Sequence, residues 1–338
     1  MATASNAKVQ VEAGQTLVEY EALTDAGNHQ IFNPSAALMS SVIAPEVHAD
    51  GVATGINMVG VAASGSDDVV DVAAFTAWSQ GTLHTVTADT DVAVTRPATN
   101  VSKINSITMN TSGAIAVVAG TDGSTATFSE TRGAAGGPPY IPVGSVEIGQ
   151  VRLTSSTAAA VTAGEIKQNG AYTERSAFPV FTVNPVGIGA YAETTGTDTA
   201  FVKFNEALDT RHTGDVTKGV YAQYYTPSFA DIPRASDFVP AETSHSLTSE
   251  DTYDGPIGSS SSSINQASFS CKLDDGVNDL IASVKNKNVT VKFFPNRNNS
   301  ANYVTQGKLG IARTFPVSGQ ISASCTISAE VPSAEFAS

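Results

Sequence analysis

The strongest alternation of apolar and polar positions lies between Phe269 and Ser338. Phe269, Cys271 and Leu273 alternate with Ser268, Ser270 and Lys272, which predicts a strand with one buried face. Asp274-Asp275-Gly276 follows as a helix-start signal, and Val277, Leu280, Ile281 and Val284 fall at i, i+3, i+4 and i+7. That spacing predicts a short helix near 275–286 with those four side chains in the core. Val289, Val291 and Phe293 return to period two and stop at Pro295-Asn296, and Tyr303 to Phe315 is broken by Gly307 and Gly310. Ile321, Ala323, Cys325, Ile327 and Ala329 then face one way, against Ser322, Ser324, Thr326, Ser328 and Glu330.

Upstream, short β signals recur with turn signals between them. Thr16 to Leu23, Gly51 to Ala63 and Thr82 to Val94 read as strands, whereas Val69 to Trp78 fits either a strand or a short helix. Ile104 to Met109, Ala114 to Ala119 and Thr125 to Ser129 predict a meander, with Asp122-Gly123 as a hairpin turn. Val143 to Leu153 changes apolar phase near Gly149, the mark of a bulge. Such spacing suits a β-sandwich. Residues 155–170 are rich in Ala, Ser and Thr and read as a connector; strands resume from Phe178.

Between Thr226 and Ser263 the periodicity collapses: prolines stand at 227, 233, 240 and 256, and five serines follow Gly258. So long a stretch is too long for a passive loop. Its Phe229, Ile232, Phe238, Val239, Leu247 and Tyr253 argue against disorder, since disordered segments are poor in such residues. It reads as an ordered arm that packs on a neighbouring subunit through those six side chains. The expected division is an N-terminal arm over 1–15, a β-rich domain over 16–165, and a second domain over 166–338.

Composition agrees with a mainly β protein. Charged residues are only 15% of the 338, against about 25% in typical soluble domains. The net charge is −14, which speaks against a protein held to nucleic acid by phosphate neutralisation. The acidity is heavier up to residue 170, with 6 basic against 15 acidic residues, than after it, with 12 against 17. Cys271 and Cys325 sit on apolar faces of separate strands and read as buried thiols; a disulfide would need those strands to be neighbours. No apolar run is long enough to span a membrane, and the N-terminus lacks the pattern of a signal peptide, so folding in a cytoplasm is expected.

Motifs that carry chemistry are missing. There is no phosphate-binding glycine loop, no Gly-x-Ser-x-Gly elbow and no paired Cys or His spacing for zinc. The five histidines are scattered, and His212-Thr-Gly-Asp215 is the sole close His/Asp pair. Asp67, Asp68 and Asp71, with Asp89 and Asp91, have the chemistry for a hard cation but no EF-hand spacing, and read as solvated turns. No enzyme, cofactor or metal is expected.

Asn288-Val-Thr-Val-Lys-Phe-Phe-Pro-Asn-Arg, Gln306-Gly-Lys-Leu-Gly-Ile-Ala-Arg-Thr-Phe and the strand from Gln320 to Val331 resemble the end of a bacteriophage major tail protein. Tyr225-Thr-Pro, Asp237-Phe-Val-Pro and His245-Ser are also similar to that family, the tail tube proteins of long, flexible, non-contractile tails, Chi-like phages among them. The resemblance covers roughly residues 171–338 and is weaker before them. It implies a tail-tube fold, an antiparallel β-sandwich or half-barrel with one short helix, beside an additional N-terminal β-sandwich-like domain facing outward. It also implies hexameric rings stacked into a tube, an acidic conduit for genomic DNA, and contacts with tape-measure, tail-tip and terminator proteins in the virion tail. The other reading of these residues is a non-enzymatic cell-surface or glycan-binding β-sandwich.

Overall fold

A computed structural model describes residues 6–35, 43–169, 174–178, 180–184, 200–214, 216–252 and 255–336. The fold is mainly β, and its sheets are antiparallel. The largest has nine strands. Eight run in the order Ala235–Val239, Ala267–Lys272, Ser322–Ser328, Asn302–Thr314, Asn288–Phe294, Lys8–Ala22, Val220–Asp231, Glu46–Ala49, and Ala334–Phe336 pairs beside Asn302–Thr314. The predicted alternation at the C-terminal end is observed: Phe269, Cys271, Ala323, Cys325 and Ile327 are buried while their strand neighbours are not. With Val9, Val11, Val289, Val291 and Leu309 they form one core. Each large side chain buried there contributes about 1.5–3 kcal/mol.

The expected arm over 1–15 is corrected by the Lys8–Ala22 strand. It lies inside the sheet, pairing Lys8 to Phe294 and Val11 to Val291 on one side, and Gln10 to Asp231 through Ala22 to Tyr221 on the other. Register shifts at Glu12/Gly14 and Val18/Glu21 let one strand serve two sheet regions. Its first half packs Val9 and Val11 on the C-terminal core, and its second half turns Val18 toward another core holding Phe32, Val202, Phe204 and Tyr224. The two supposed domains therefore share strands.

A second group of sheets falls within residues 51–169, not across 16–165. Residues 51–169 hold a three-stranded sheet (Gly51–Thr54, Phe75–Ser79, Thr82–Val86) and another (Val59–Val61, Val69–Val72, Asp89–Ala93). A four-stranded sheet completes the unit (Ile115–Ala119, Lys103–Met109, Val146–Leu153, Ile166–Gln168). All three close on one core that includes Val52, Met58, Val72, Phe75, Ile107 and Ile148. The chain leaves the large sheet at Asp50 and returns beside its exit: the Ala49 amide donates to Ser176 (3.1 Å) and the Ser176 amide to Val52 (3.1 Å). The unit is thus an insertion into the large-sheet body.

Local readings fare unevenly. The ambiguous Val69–Trp78 stretch is two strands. The bulge is where the phase change put it, since Ile107 opposes Gly149 while Thr108 opposes Glu147. The Asp122-Gly123 hairpin and the strand after it are not formed. Asp122 instead accepts the Ala98 amide (2.7 Å) and pairs with Lys103 (3.0 Å), and Gly123 donates to Ser102. The helix shrinks to the single turn Leu280–Ser283. Asp275 accepts the amides of Val277 and Asn278 at 2.7 Å, and Asp279 those of Asp274 and Gly276. Side chains that bond local amides compete with helix formation. Gly276, at φ +75, completes the turn. Val277 is left 67% exposed rather than in the core; Ile281 and Val284 are buried and Leu280 packs against them.

Candidate assembly surfaces and the seam of the inserted unit

The stretch 226–263, expected as an arm without regular structure, is built of strands. After Val220–Asp231 and Ala235–Val239 come Thr243–Thr252 and Gly255–Ile264, registered from Thr243 opposite Ile264 to Thr252 opposite Gly255. This hairpin continues the edge pair Ala235–Val239 and Ala267–Lys272, and among the described residues its two strands pair only with each other. At about 3.4 Å per residue its ten-residue strands reach roughly 34 Å. Its described side chains are nearly all exposed. Hydroxyls bridge the strands, Ser244 to Ser263 at 2.9 Å and Ser246 to Ser261 at 2.7 Å.

The six side chains expected to contact a neighbouring subunit divide. Phe229 packs with Val304, Ala334 and Phe336 of its own chain, with the Lys292 ammonium 4.2 Å from its ring centre. Ile232 is buried in the C-terminal core, and Phe238 packs on that core and stacks on Phe293 at 4.6 Å. Of these three, Ile232 is buried in its own chain, whereas Phe229 and Phe238 are half-buried. Val239 (52% exposed) and Leu247 (85% exposed) do face outward. Tyr253 lies outside the described residues.

The face of the large sheet turned away from the C-terminal core is lined at its edge by hydroxyls. Ser268 and Ser270, then Ser322, Ser324, Thr326 and Ser328, stand side by side on paired strands. The charges among them are Lys272 and Lys308. Cys271 and Cys325 occupy the opposite, buried face of the same two strands as free thiols. Their mutual hydrogen bond raises the Cys325 pKa, with burial adding to it, and lowers that of Cys271.

A buried ionic network joins the inserted unit to the body. Glu147, fully buried on the Val146–Leu153 strand, accepts from Arg132 (2.6 Å), Asn169 (2.7 Å) and Arg211 (3.0 Å), and also from Ser106. Arg211 reaches Glu174 (2.5 Å) and Asp209 (2.8 Å) as well. Burial raises the Glu174 pKa against the pull of Lys218 and Arg211. Burial opposes the charge of Arg211 too, but Glu174, Asp209 and Glu147 outweigh it and its pKa rises. Next to this network His212 is buried with Nε2 3.0 Å from the Ser145 carbonyl; Asp215, its close neighbour in sequence, lies outside the described residues. Asp50, at the exit point, accepts the Gln80 and Gly219 amides while burial lifts its carboxyl to about 7.

Residues 147, 174 and 211 are far apart in sequence, so no spacing motif could find them. The one local signal is a carboxylate inside the apolar run Val146-Glu147-Ile148. Asp71 spends its oxygens on the Ala63 and Asp91 amides, and among the described residues no group of three or more His, Cys, Asp or Glu stands close enough to hold a metal ion. No helix among them is long and apolar enough to cross a membrane. Comparison with protein families, curated proteins and solved structures finds no match.

Proposed function

We propose that this chain is a structural subunit of a phage tail tube, assembling as rings of six that stack into a conduit for DNA. The observation that carries the reading is the hairpin 243–264. A lone two-stranded hairpin is marginal in water, and among the described side chains of this one only Ile264, at its base, packs on the core. A second copy of the chain gives it a surface to lie on. The large sheet adds support: its Ala235–Val239 strand is a free edge beside an open hydroxyl face, and pairing between copies removes such edges. Along the paired strands Ala267–Lys272 and Ser322–Ser328 that face is lined mainly by hydroxyls, with Lys272 at its end, and Asp231 and Asp237 lie on other strands of the sheet. The inserted unit, fixed by the ionic seam, suits an outward decoration. Tape-measure, tip and terminator proteins are partners that follow from the same proposal.

Electron microscopy of the concentrated protein tests it. Rings and tubes are expected, and monomers under every condition tried would overturn the proposal. Replacing 243–264 by a short turn should leave a folded chain that no longer stacks.

A further inference from the structure

A small cleft of about 220 Å³ opens on the inserted unit between the irregular 120–145 segment and the strands Val146–Leu153 and Ile166–Gln168. Four of the chain's 18 basic residues converge on it: Arg132, Arg152, Lys167 and Arg211. Arg132 and Arg211 turn inward onto Glu147. Arg152 and Lys167 face the mouth, where they meet Glu130. Two nitrogens of Arg152 grip the two oxygens of that carboxylate at 2.7 and 2.9 Å, and Lys167 lies 3.4 Å away. The partners differ in how firmly they are held. The Arg152 side chain is 16% exposed, braced by Gln150 (3.1 Å) and over the Phe128 ring. Glu130 is 66% exposed, on a segment without regular structure. Arg152 Nε is buried without a hydrogen-bond partner.

The guanidinium is therefore a preformed carboxylate fork, and the group now in it is its most easily displaced part. Exposed ion pairs are worth only about 0–1 kcal/mol, so an outside carboxylate can compete with Glu130. The rest of the wall is nearly all polar, and the amides of Gln150 and Asn169 each have a second N–H beyond the one given to Glu147. Such a wall suits hydroxyls rather than an aromatic or fatty acid.

We infer that this cleft binds the carboxylate of an acidic sugar, with Glu130 as an internal stand-in that leaves when the ligand arrives. The inference does not depend on ring assembly, because it is tested on the full chain in solution. Titration would use glucuronate, its methyl ester and inorganic phosphate at low salt, followed by NMR shifts of the Arg152 side chain and its neighbours. Glu130→Gln should bind glucuronate up to about fivefold tighter than the native chain, the gain from removing one competing ion pair. Arg152→Gln should not bind, and Lys167→Met should bind several-fold more weakly; an unchanged melting temperature establishes that these variants are folded. No gain in Glu130→Gln, or an ester that binds as well as the acid, would overturn the inference. So would phosphate competing on equal terms, which would mean a general anion site.

Discussion

Two serine-rich segments follow each other in the chain and behave differently. In Ala267–Lys272 serine occupies alternate positions, and Ala267, Phe269 and Cys271 between them are buried. In Gly255–Ile264 serine fills five successive positions, 259–263, so along that run both faces are polar. The first segment is held by its own chain, through apolar burial on one face and pairing to Ser322–Ser328 on one side and Ala235–Val239 on the other. Among the described residues the second pairs only with its hairpin partner. Backbone pairing is the same in both; what differs is whether one face has something to bury. A strand without such a face depends on whatever it lies against.

The largest effect that sharpens this contrast is Phe269→Ala. It should destabilise the chain by about 3–5 kcal/mol, the usual cost of emptying an aromatic site in a packed core, read as a lowered urea midpoint. Glu147→Ala should cost about 3 kcal/mol, because half-buried Arg132 loses its carboxylate partner and Arg211 loses one of three. Limited proteolysis should then cut at the seam before the large sheet is lost.

Asp50 gives a pH test. Its carboxyl is lifted from 3.8 to about 7 by burial, so the folded chain holds that proton more tightly than the unfolded one. The stability it contributes is complete below about pH 3.8, declines as pH rises, and is gone above about pH 7. Native protein should lose about 2–4 kcal/mol from this group across that window, and the Asp50→Asn variant should not. Equal slopes for the two in melting temperature against pH would refute the assignment.

The smallest effects on the monomer belong to the hairpin. Ser261→Ala and Leu247→Ser should each change its stability by no more than about 0.5 kcal/mol. Leu247→Ser should nonetheless reduce assembly measured by sedimentation. If it lowers monomer stability instead, the hairpin is held within its own chain and the contrast fails.

These cases also show what was legible in the sequence. Period two at Ala323, Cys325 and Ile327 was readable because one face is buried and the other is not. The bulge at Gly149 was readable for the same reason. The hairpin was not, because exposure on both faces leaves no alternation. The first half of Lys8–Ala22 was missed because two valines are a short signal and its partners lie more than 200 residues away. The helix was overread at Val277, where 3.6-residue spacing lost to Asp275 and Asp279 bonding nearby amides. The seam was invisible because its charges meet only through the fold. Of the residues expected to touch neighbours, Phe229, Ile232 and Phe238 also find apolar partners within their own chain, which the collapse of periodicity around them hid.

The side-by-side exit and return at Asp50 and Glu174 have a practical consequence. Val52 and Arg175 form a parallel bridge, so the two crossing points are about one inter-strand spacing, roughly 4.8 Å, apart. A body entered and left through so narrow a doorway does not sense the length of the detour. It is a natural splice point, where residues 52–174 can be exchanged for another cargo whose ends lie close together, provided Arg211 and Lys218 are neutralised along with the carboxylates they lose.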